Sequence, residues 1–295
     1  MGFTERQLTE MTGRIKLISF ADKKFYGNQR LLNLSARKNG IKYISSYSDK
    51  WLRNQSVFWI ENNLILNQKK GCGYWIWKPF IILDALNKMR ENDKLIYLDS
   101  GTLIIKSILP LINELSDNNV VLFRNGSHIN SSWTKRDCFV LMNCDSDRYY
   151  NASQVLAGYI LCKKNETTIK FIQEWLNYCL NYNIVSDSEN ITAHENNEGF
   201  KAHRHDQSIL SILAEKHSIK LYNDPSEWGC KSNFFNDSSY DINNDFSFQE
   251  NHYLNTNRKQ IELNIFLEIQ YLFSVRIKCA LIKILKGVRL KISGN

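Results

Sequence analysis

The stretch RIKLISFADKKFYGNQRLLNLSARKNGIKYISSY, Arg14 to Tyr47, decides the fold. Its first seven residues, Arg14 to Phe20, read as a strand. Asn28 to Gly40 places leucines at helical spacing and ends on a glycine, the residue that most readily closes a helix. Ile41 to Tyr47 reads as a second strand. A strand, a helix and a strand in this order predict a βαβ unit, hence a parallel pair joined by a crossover.

Working outward, a helical pattern covers Leu52 to Leu66. GCGYWIWKP (Gly71 to Pro79) follows, with Pro79 suited to the first turn of a helix that carries Ile82, Leu83, Leu86 and Met89 on its apolar face. KLIYLDSG (Lys94 to Gly101) is a strand that breaks at Asp99. Val120 to Asn125 and Val155 to Asn165 are further strand candidates, and Thr167 to Tyr182 is an amphipathic helix. His203 to Ser218 opens with Asp206 as a potential helix cap, and Ile219 to Asp224 closes the sheet. Strands alternating with helices predict an α/β fold, in which ligands collect at the carboxyl ends of strands. Asp99 stands at such an end.

The chain has 295 residues with three Pro and 13 Gly, and no repeat or Gly/Ser-rich linker interrupts it. One domain over residues 1–260 with a tail over 261–295 is the economical division. Seven Cys without CxxC pairs suggest reduced thiols rather than a disulfide framework. No charged start with an apolar core precedes the first strand, so a secretion signal is not expected, and no apolar run is long enough for a bilayer span. A formal charge of +8 admits anionic partners. Much of the excess lies in the tail: Ile269 to Asn295 has no acid, and Arg276, Lys278, Lys283, Lys286, Arg289 and Lys291 surround a face of Ile277, Ala280, Leu281, Ile284, Leu285, Val288 and Ile292. That pattern describes an interfacial helix drawn to an anionic membrane surface, and it ranks nucleic acid low as a partner.

LIYLDSGTLI (Leu95 to Ile104) resembles the strand carrying the DxD motif of GT-A glycosyltransferases, particularly the glycogenin and lipopolysaccharide galactosyltransferase group. LAGYILCKKN (Leu156 to Asn165) resembles that group's strand beneath the donor sugar, and HDQSILS (His205 to Ser211) its DQDxLN segment. HYLNTNR (His252 to Arg258) repeats the spacing of a late His-x-x-Gly-x-x-Lys signature. The matches keep their order across residues 14–260, and they also look like bacterial capsule and O-antigen transferases. The resemblance implies a GT-A-like, mainly parallel sheet and transfer of a sugar, with hexosyl transfer expected. The donor would be a nucleotide-sugar co-substrate and the acceptor a glycan or lipid-linked glycan in bacterial surface polysaccharide synthesis. Joined to the basic tail, such an acceptor fits work in the cytoplasm, peripheral on the cytoplasmic face of the inner membrane.

The site residues follow from the same resemblance. Asp99 with Ser100 would meet the nucleotide ribose or a metal, and Lys78, His252 and Arg258 the diphosphate. Gly158 would lie under the donor sugar, which Asp206 and Gln207 would contact. Tyr74, Trp75 and Trp77 could stack on rings, since a carbohydrate offers one apolar face and one polar edge, or could simply pack. His203, Arg204 and His205 could bind phosphate or acceptor hydroxyls. Lys135 and Asp137 lie in a loop expected near the cleft. Retention needs no strong base; under inversion Asp206 or Asp137 is the candidate.

Gly101 stands where the second Asp of DxD is expected. A divalent cation, Mn or Mg, would then depend on Asp99 and His252, or Lys and Arg would neutralise the diphosphate instead. Asn255 and Arg258 replace the late Gly and Lys. Two rival readings remain on sequence grounds. One is a nucleotidylyltransferase, for which the loop after the first strand offers only Gly27; the other is a non-enzymatic nucleic-acid or membrane-binding protein.

Overall fold

Strand β1 (Ile15–Ala21) is buried from Leu17 to Ala21 on both faces, as a strand inside a covered sheet requires. It pairs in parallel with β2 (Tyr43–Ser48), and helix α1 (Tyr26–Lys38) crosses between them. Gly40, at φ +88°, ends that helix: its N–H reaches the Arg37 carbonyl at 3.1 Å, and Ile41 N–H the Ala36 carbonyl at 3.0 Å. This paired closure satisfies two carbonyls that the helix leaves open, while Ile41 and Ala36 bury together on the sheet. The βαβ opening read from Arg14 to Tyr47 is present as expected.

The protein is described here by a computed structural model, which describes residues 13–231 and 252–256. The chain divides into two units, Met1–Arg258 and Lys259–Asn295. The second unit, and with it the expected membrane-facing tail, lies outside the described residues, as does Arg258. Among the described residues no helix is long and apolar enough to cross a membrane.

On the other side of β1 lies β3 (Lys94–Leu98), also parallel. A short β4 (Thr102–Ile104) leaves the main sheet after Asp99. Strand β5 (Val120–Ile129) follows, then β6 (Ser153–Val155) and β7 (Tyr159–Lys163). The order is β2-β1-β3-β7-β5-β6, with β8 (Leu221–Tyr222) on β5 and β4 paired to β9 (Leu254–Thr256). β7 runs antiparallel to both β3 and β5, β6 antiparallel to β5, and β8 parallel to β5. Five strands (β1, β2, β3, β5, β8) therefore share one direction and two (β6, β7) oppose it, a mixed and mainly parallel α/β sheet.

Alternation along the strands divides the core. Leu17, Ile96, Leu98, Val121 and Phe123 face one layer with α1; Ile18, Phe20, Leu95, Tyr97 and Leu122 face the other. That second layer holds helices α2 (Trp77–Asn87), α3 (Glu166–Cys179) and α4 (Asp206–Lys216).

Three local expectations change. The single strand over Val155–Asn165 is two strands, β6 and β7, parted at Ala157 and Gly158 where the chain passes the end of β3. Leu52 to Leu66 is three short helices, Asp49–Arg53, Ser56–Glu61 and Asn63–Leu66. Helix α2 buries Ile82 and Leu86 as expected, but also Ile81 and Ala85, because α3 covers a second side of it. The described cysteines, Cys72, Cys138, Cys144, Cys162 and Cys179, are free thiols.

Candidate active site

Asp99 follows directly on β3, and the chain then turns, Thr102 N–H donating to the Asp99 carbonyl at 2.9 Å. This turn holds Ser100 and Gly101 and leaves the Asp99 side chain 49% exposed at the carboxyl edge of the sheet. Gly158 lies beneath it. Asp99 N–H donates to the Gly158 carbonyl at 2.9 Å, and a Cβ on Gly158 would stand 3.0 Å from Asp99 Oδ2. Tyr97, two residues back and therefore on the same face of the strand, donates its hydroxyl to Asp99 Oδ1 at 2.5 Å. Sequence reasoning missed Tyr97, although the period of two along IYLD points to it.

Lys78, from the first turn of α2, reaches this carboxylate from inside. Its ammonium lies 3.5 Å from Asp99 Oδ1 and 3.2 Å from Asp206 Oδ2, with the Lys78 and Asp206 side chains each 4% exposed. Burial acts to lower the Lys78 pKa, but the two carboxylates outweigh it and hold the group above the ordinary lysine value. Among the described residues Asp206 has one cation for support. Burial lifts its pKa to about 6, with Lys78 pulling down and Asp99 pushing up. With Asp206 ionised, one ammonium between two carboxylates leaves the cluster at about −1. The ammonium is thus committed to carboxylates, not open to a diphosphate as expected from sequence.

Asp206 does not cap its helix. It is the first helical residue, the cap position belongs to His205 at φ +53°, and no side chain caps the end. The carboxylate turns to Lys78 instead, while Trp175 Nε1 donates to the Asp206 carbonyl at 2.9 Å and fixes the start of α4. Gln207 donates through Nε2 to Gln154 Oε1 at 3.1 Å. Buried Gln154 in turn donates to Asn130 Oδ1 at 2.9 Å and Thr134 Oγ1 at 3.1 Å. Gln154 carries no sequence signal, since its partners come from segments far apart in the chain.

The aromatic stretch before α2 is packing that aims Lys78. Gly71, Cys72, Gly73, Tyr74 and Trp75 all have positive φ, from 51° to 94°. A left-handed turn costs L-residues roughly 1–2 kcal/mol each, so three side-chain-bearing residues here are held by their surroundings. Both glycines are required: a Cβ on Gly71 would lie 2.3 Å from the Trp75 ring, and one on Gly73 would lie 2.8 Å from Leu66 Cα. Tyr74 and Trp75 stack on His205 at 4.8 and 5.5 Å between ring centroids. Trp77 stacks on Phe20 of β1 at 3.9 Å and donates Nε1 to the Gly71 carbonyl at 2.9 Å. Tyr74 and Trp77 are buried, so their faces meet protein rather than a sugar.

His203 and His205 are likewise buried rather than presented to phosphate. His203 donates Nε2–H to the Ile184 carbonyl at 2.9 Å and accepts Lys135 N–H at Nδ1, 3.3 Å away, which fixes a neutral tautomer. His205 donates Nδ1–H to the Val185 carbonyl at 2.8 Å, and its Nε2 stands 3.7 Å from Asp187. Burial lowers both pKa values. The Lys135 ammonium is bound by the Ser188 carbonyl and hydroxyl at 3.0 and 3.2 Å, and burial lowers its pKa as well.

Asp137 is no candidate base. It is fully buried and accepts from Ile191 N–H (2.7 Å), Thr192 N–H (3.1 Å) and Thr192 Oγ1 (2.6 Å), pinning a loop. Asp137→Ala leaves those donors unmet and is expected to lower stability by about 3 kcal/mol, read from the urea midpoint. Nucleotide binding measured on the folded variant should survive.

The proposed metal pair is not brought together. In the β4–β9 ladder Thr256 lies opposite Thr102, beside the Asp99 turn, whereas Leu254 lies opposite Ile104 and Tyr253 accepts from Ile105 N–H. His252 lies four residues back from Thr256, outside β9. The register thus sets Thr256, and not His252, beside the Asp99 turn. Among the described residues no group of three or more His, Cys, Asp or Glu gathers as for a metal ion. One exposed carboxylate, already engaged by Tyr97 and Lys78, does not fit Mn or Mg.

No family model matches the chain, and no curated protein matches it. Solved structures overlap it loosely. Mouse xyloside xylosyltransferase 1 in its apo form is 10% identical over 85% of this chain and 100% of its own, at a TM-score of 0.45. The galactosyltransferase LgtC in complex with donor and acceptor sugar analogues is 12% identical over 83% and 87%, at 0.45. The bifunctional glycosyltransferase WbbM is 10% identical over 84% and 46%, at 0.46.

Proposed function

We propose that the protein is a glycosyltransferase that moves a sugar, a hexose in the first instance, from a nucleotide-sugar donor to a glycan or lipid-linked acceptor. Bacterial surface polysaccharide synthesis at the cytoplasmic face of the inner membrane is its setting in this reading. One observation carries the proposal: a buried ammonium holds two carboxylates at the carboxyl edge of a mainly parallel sheet, where α/β folds take their ligands.

In this reading Asp99, the exposed member, accepts hydroxyls of the donor's ribose or sugar. Asp206, buried behind Lys78, acts on the transferred sugar through its charge rather than by contact. As the bond to the nucleoside diphosphate breaks, positive charge develops at the anomeric carbon, and a cluster of net charge about −1, with its ammonium and one carboxylate buried, favours it. Lys78 keeps both carboxylates in place without moving during the step. The departing diphosphate requires cations other than Lys78.

A thermal-shift screen against UDP, GDP, CMP and their sugars, each with Mn²⁺ and with EDTA, tests the reading. One base is expected to raise the midpoint, by the equivalent of about 2.7 kcal/mol at a hundred times its Kd, equally in both buffers. Asp99→Ala should lose that rise. No response to any nucleotide removes the proposed donor site.

A further inference from the structure

The short helices Ser56–Glu61 and Asn63–Leu66 pack one side on the protein and turn another outward. Phe58 stacks on Phe80 of α2 at 3.8 Å between ring centroids, and Ile65 and Leu66 are buried in the same core layer. Asn62 joins the two helices: its N–H donates to the Phe58 carbonyl at 3.2 Å and its carbonyl accepts Leu66 N–H at 2.9 Å, so the turns run on almost as one helix. Val57, Ile60 and Leu64 recur at i, i+3 and i+7 and therefore share a side, turned away from Phe58 and Ile65. They are 67%, 66% and 62% exposed, and no other stretch of eight described residues bares three large apolar side chains. Scattered exposed hydrophobics need no explanation, but an apolar stripe left in water does.

The charges around this stripe say what covers it. Lys50 and Arg53 precede it and Lys69 follows it, all three exposed and without an acidic partner among the described residues. Arg53 Cζ lies 4.6 Å from the ring centroid of half-buried Trp59, which sets a cation and an indole beside Ile60. The remaining charges of the segment are Glu61, its one exposed acid, Lys70, paired with Asp187 at 2.8 Å, and Asp49, which takes the Tyr26 hydroxyl. An apolar stripe with an indole at its border and an excess of cations matches the headgroup region of an anionic bilayer, where apolar side chains enter and ammonium groups stay in water. A second copy of the chain fits less well, because a two-fold contact through this face would set the same cations against one another.

We propose that Val57, Ile60 and Leu64, with Lys50, Arg53 and Lys69 as their cations, dock the catalytic domain on an anionic lipid surface. The stripe is tied to the candidate site: Leu66, two residues beyond Leu64, stands against Gly73, where a Cβ would lie 2.8 Å from Leu66 Cα, and Gly73 belongs to the coil that aims Lys78. The lipid-linked acceptor rests on the glycosyl-transfer reading; the lipid surface rests on this face alone.

The test is sedimentation of the full chain with vesicles of phosphatidylcholine alone and of phosphatidylcholine mixed equally with phosphatidylglycerol. The wild type is expected to partition more strongly into the anionic vesicles. Ile60→Asn/Leu64→Asn should keep the unfolding midpoint, since both side chains already meet water, and weaken that partition about tenfold or more. Lys50→Gln/Lys69→Gln should weaken it about tenfold and leave partition into phosphatidylcholine unchanged. Equal wild-type partition into both vesicles, or an unchanged value in either variant, overturns the inference. So does a change of oligomeric state in Ile60→Asn/Leu64→Asn without lipid, which would make this face an interface between copies. The nucleotide thermal shift reads the donor site separately. A nucleotide response with vesicle binding indifferent to both variants condemns the docking face alone, and binding that depends on the face without any nucleotide response condemns the transfer reading alone.

Discussion

Lys78→Met is expected to destabilise the protein by about 3–5 kcal/mol at pH 8, because it removes the only ammonium that pairs with the buried Asp206 carboxylate among the described residues and leaves that charge uncompensated. The urea midpoint checks it, and the pH dependence identifies the cause. In the wild type Asp206 has a folded-state pKa of about 6, above the 3.8 of an ordinary aspartate. Between these values the folded state binds the extra proton, so stability falls as pH rises and the full cost stands above about pH 6. Without Lys78 the carboxylate holds its proton to still higher pH. The gap between variant and wild type should therefore be small near pH 5 and grow toward pH 8. A gap independent of pH would mean that the lost packing of the lysine stem, not the orphaned charge, is responsible.

Asp206→Asn separates stability from chemistry. The amide keeps the shape and removes a buried charge, so the unfolding midpoint at pH 7 should hold or rise. Transfer should fall by about 10²–10³-fold, the size of effect seen when one preorganised electrostatic group is deleted at a developing charge. The wild-type rate should climb as pH rises through about 6, following ionisation of Asp206, and the residual rate of the variant should lack that limb. Equal rates for both proteins would remove Asp206 from the reacting centre.

Much of this architecture was legible because it is local. The βαβ opening, the strand ending at Asp99 and the helix starting at Asp206 all rest on periodicity and end signals within about fifteen residues. The sequence singles out Lys78, Asp99, Gly158 and Asp206, and the structure brings all four together. Their arrangement was not legible. That the ammonium serves carboxylates, that Asp206 leaves its helix end uncapped, and that Asp137 staples a loop are pairings across 21 to 128 residues of chain. The division at Gly158 was hidden because an apolar run reads the same whether it forms one strand or two. Tyr74 and Trp77 illustrate the converse: aromatics beside a functional lysine look like a sugar platform, yet their faces are taken by His205 and Phe20.

The turn from Gly71 to Trp75 is wound against the chain's own hand, and that has a bearing on how the protein could be divided. A peptide excised from this region has no reason to keep a left-handed coil; the coil persists where Leu66 lies against Gly73, where Trp77, stacked on Phe20, holds the Gly71 carbonyl, and where His205, far downstream, lies against Tyr74 and Trp75. Lys78 inherits its aim from that coil. The two halves of the molecule therefore hold joint custody of its electrostatic centre, and fragments cut between β5 and α4 would each carry the right residues without owning a site until they met.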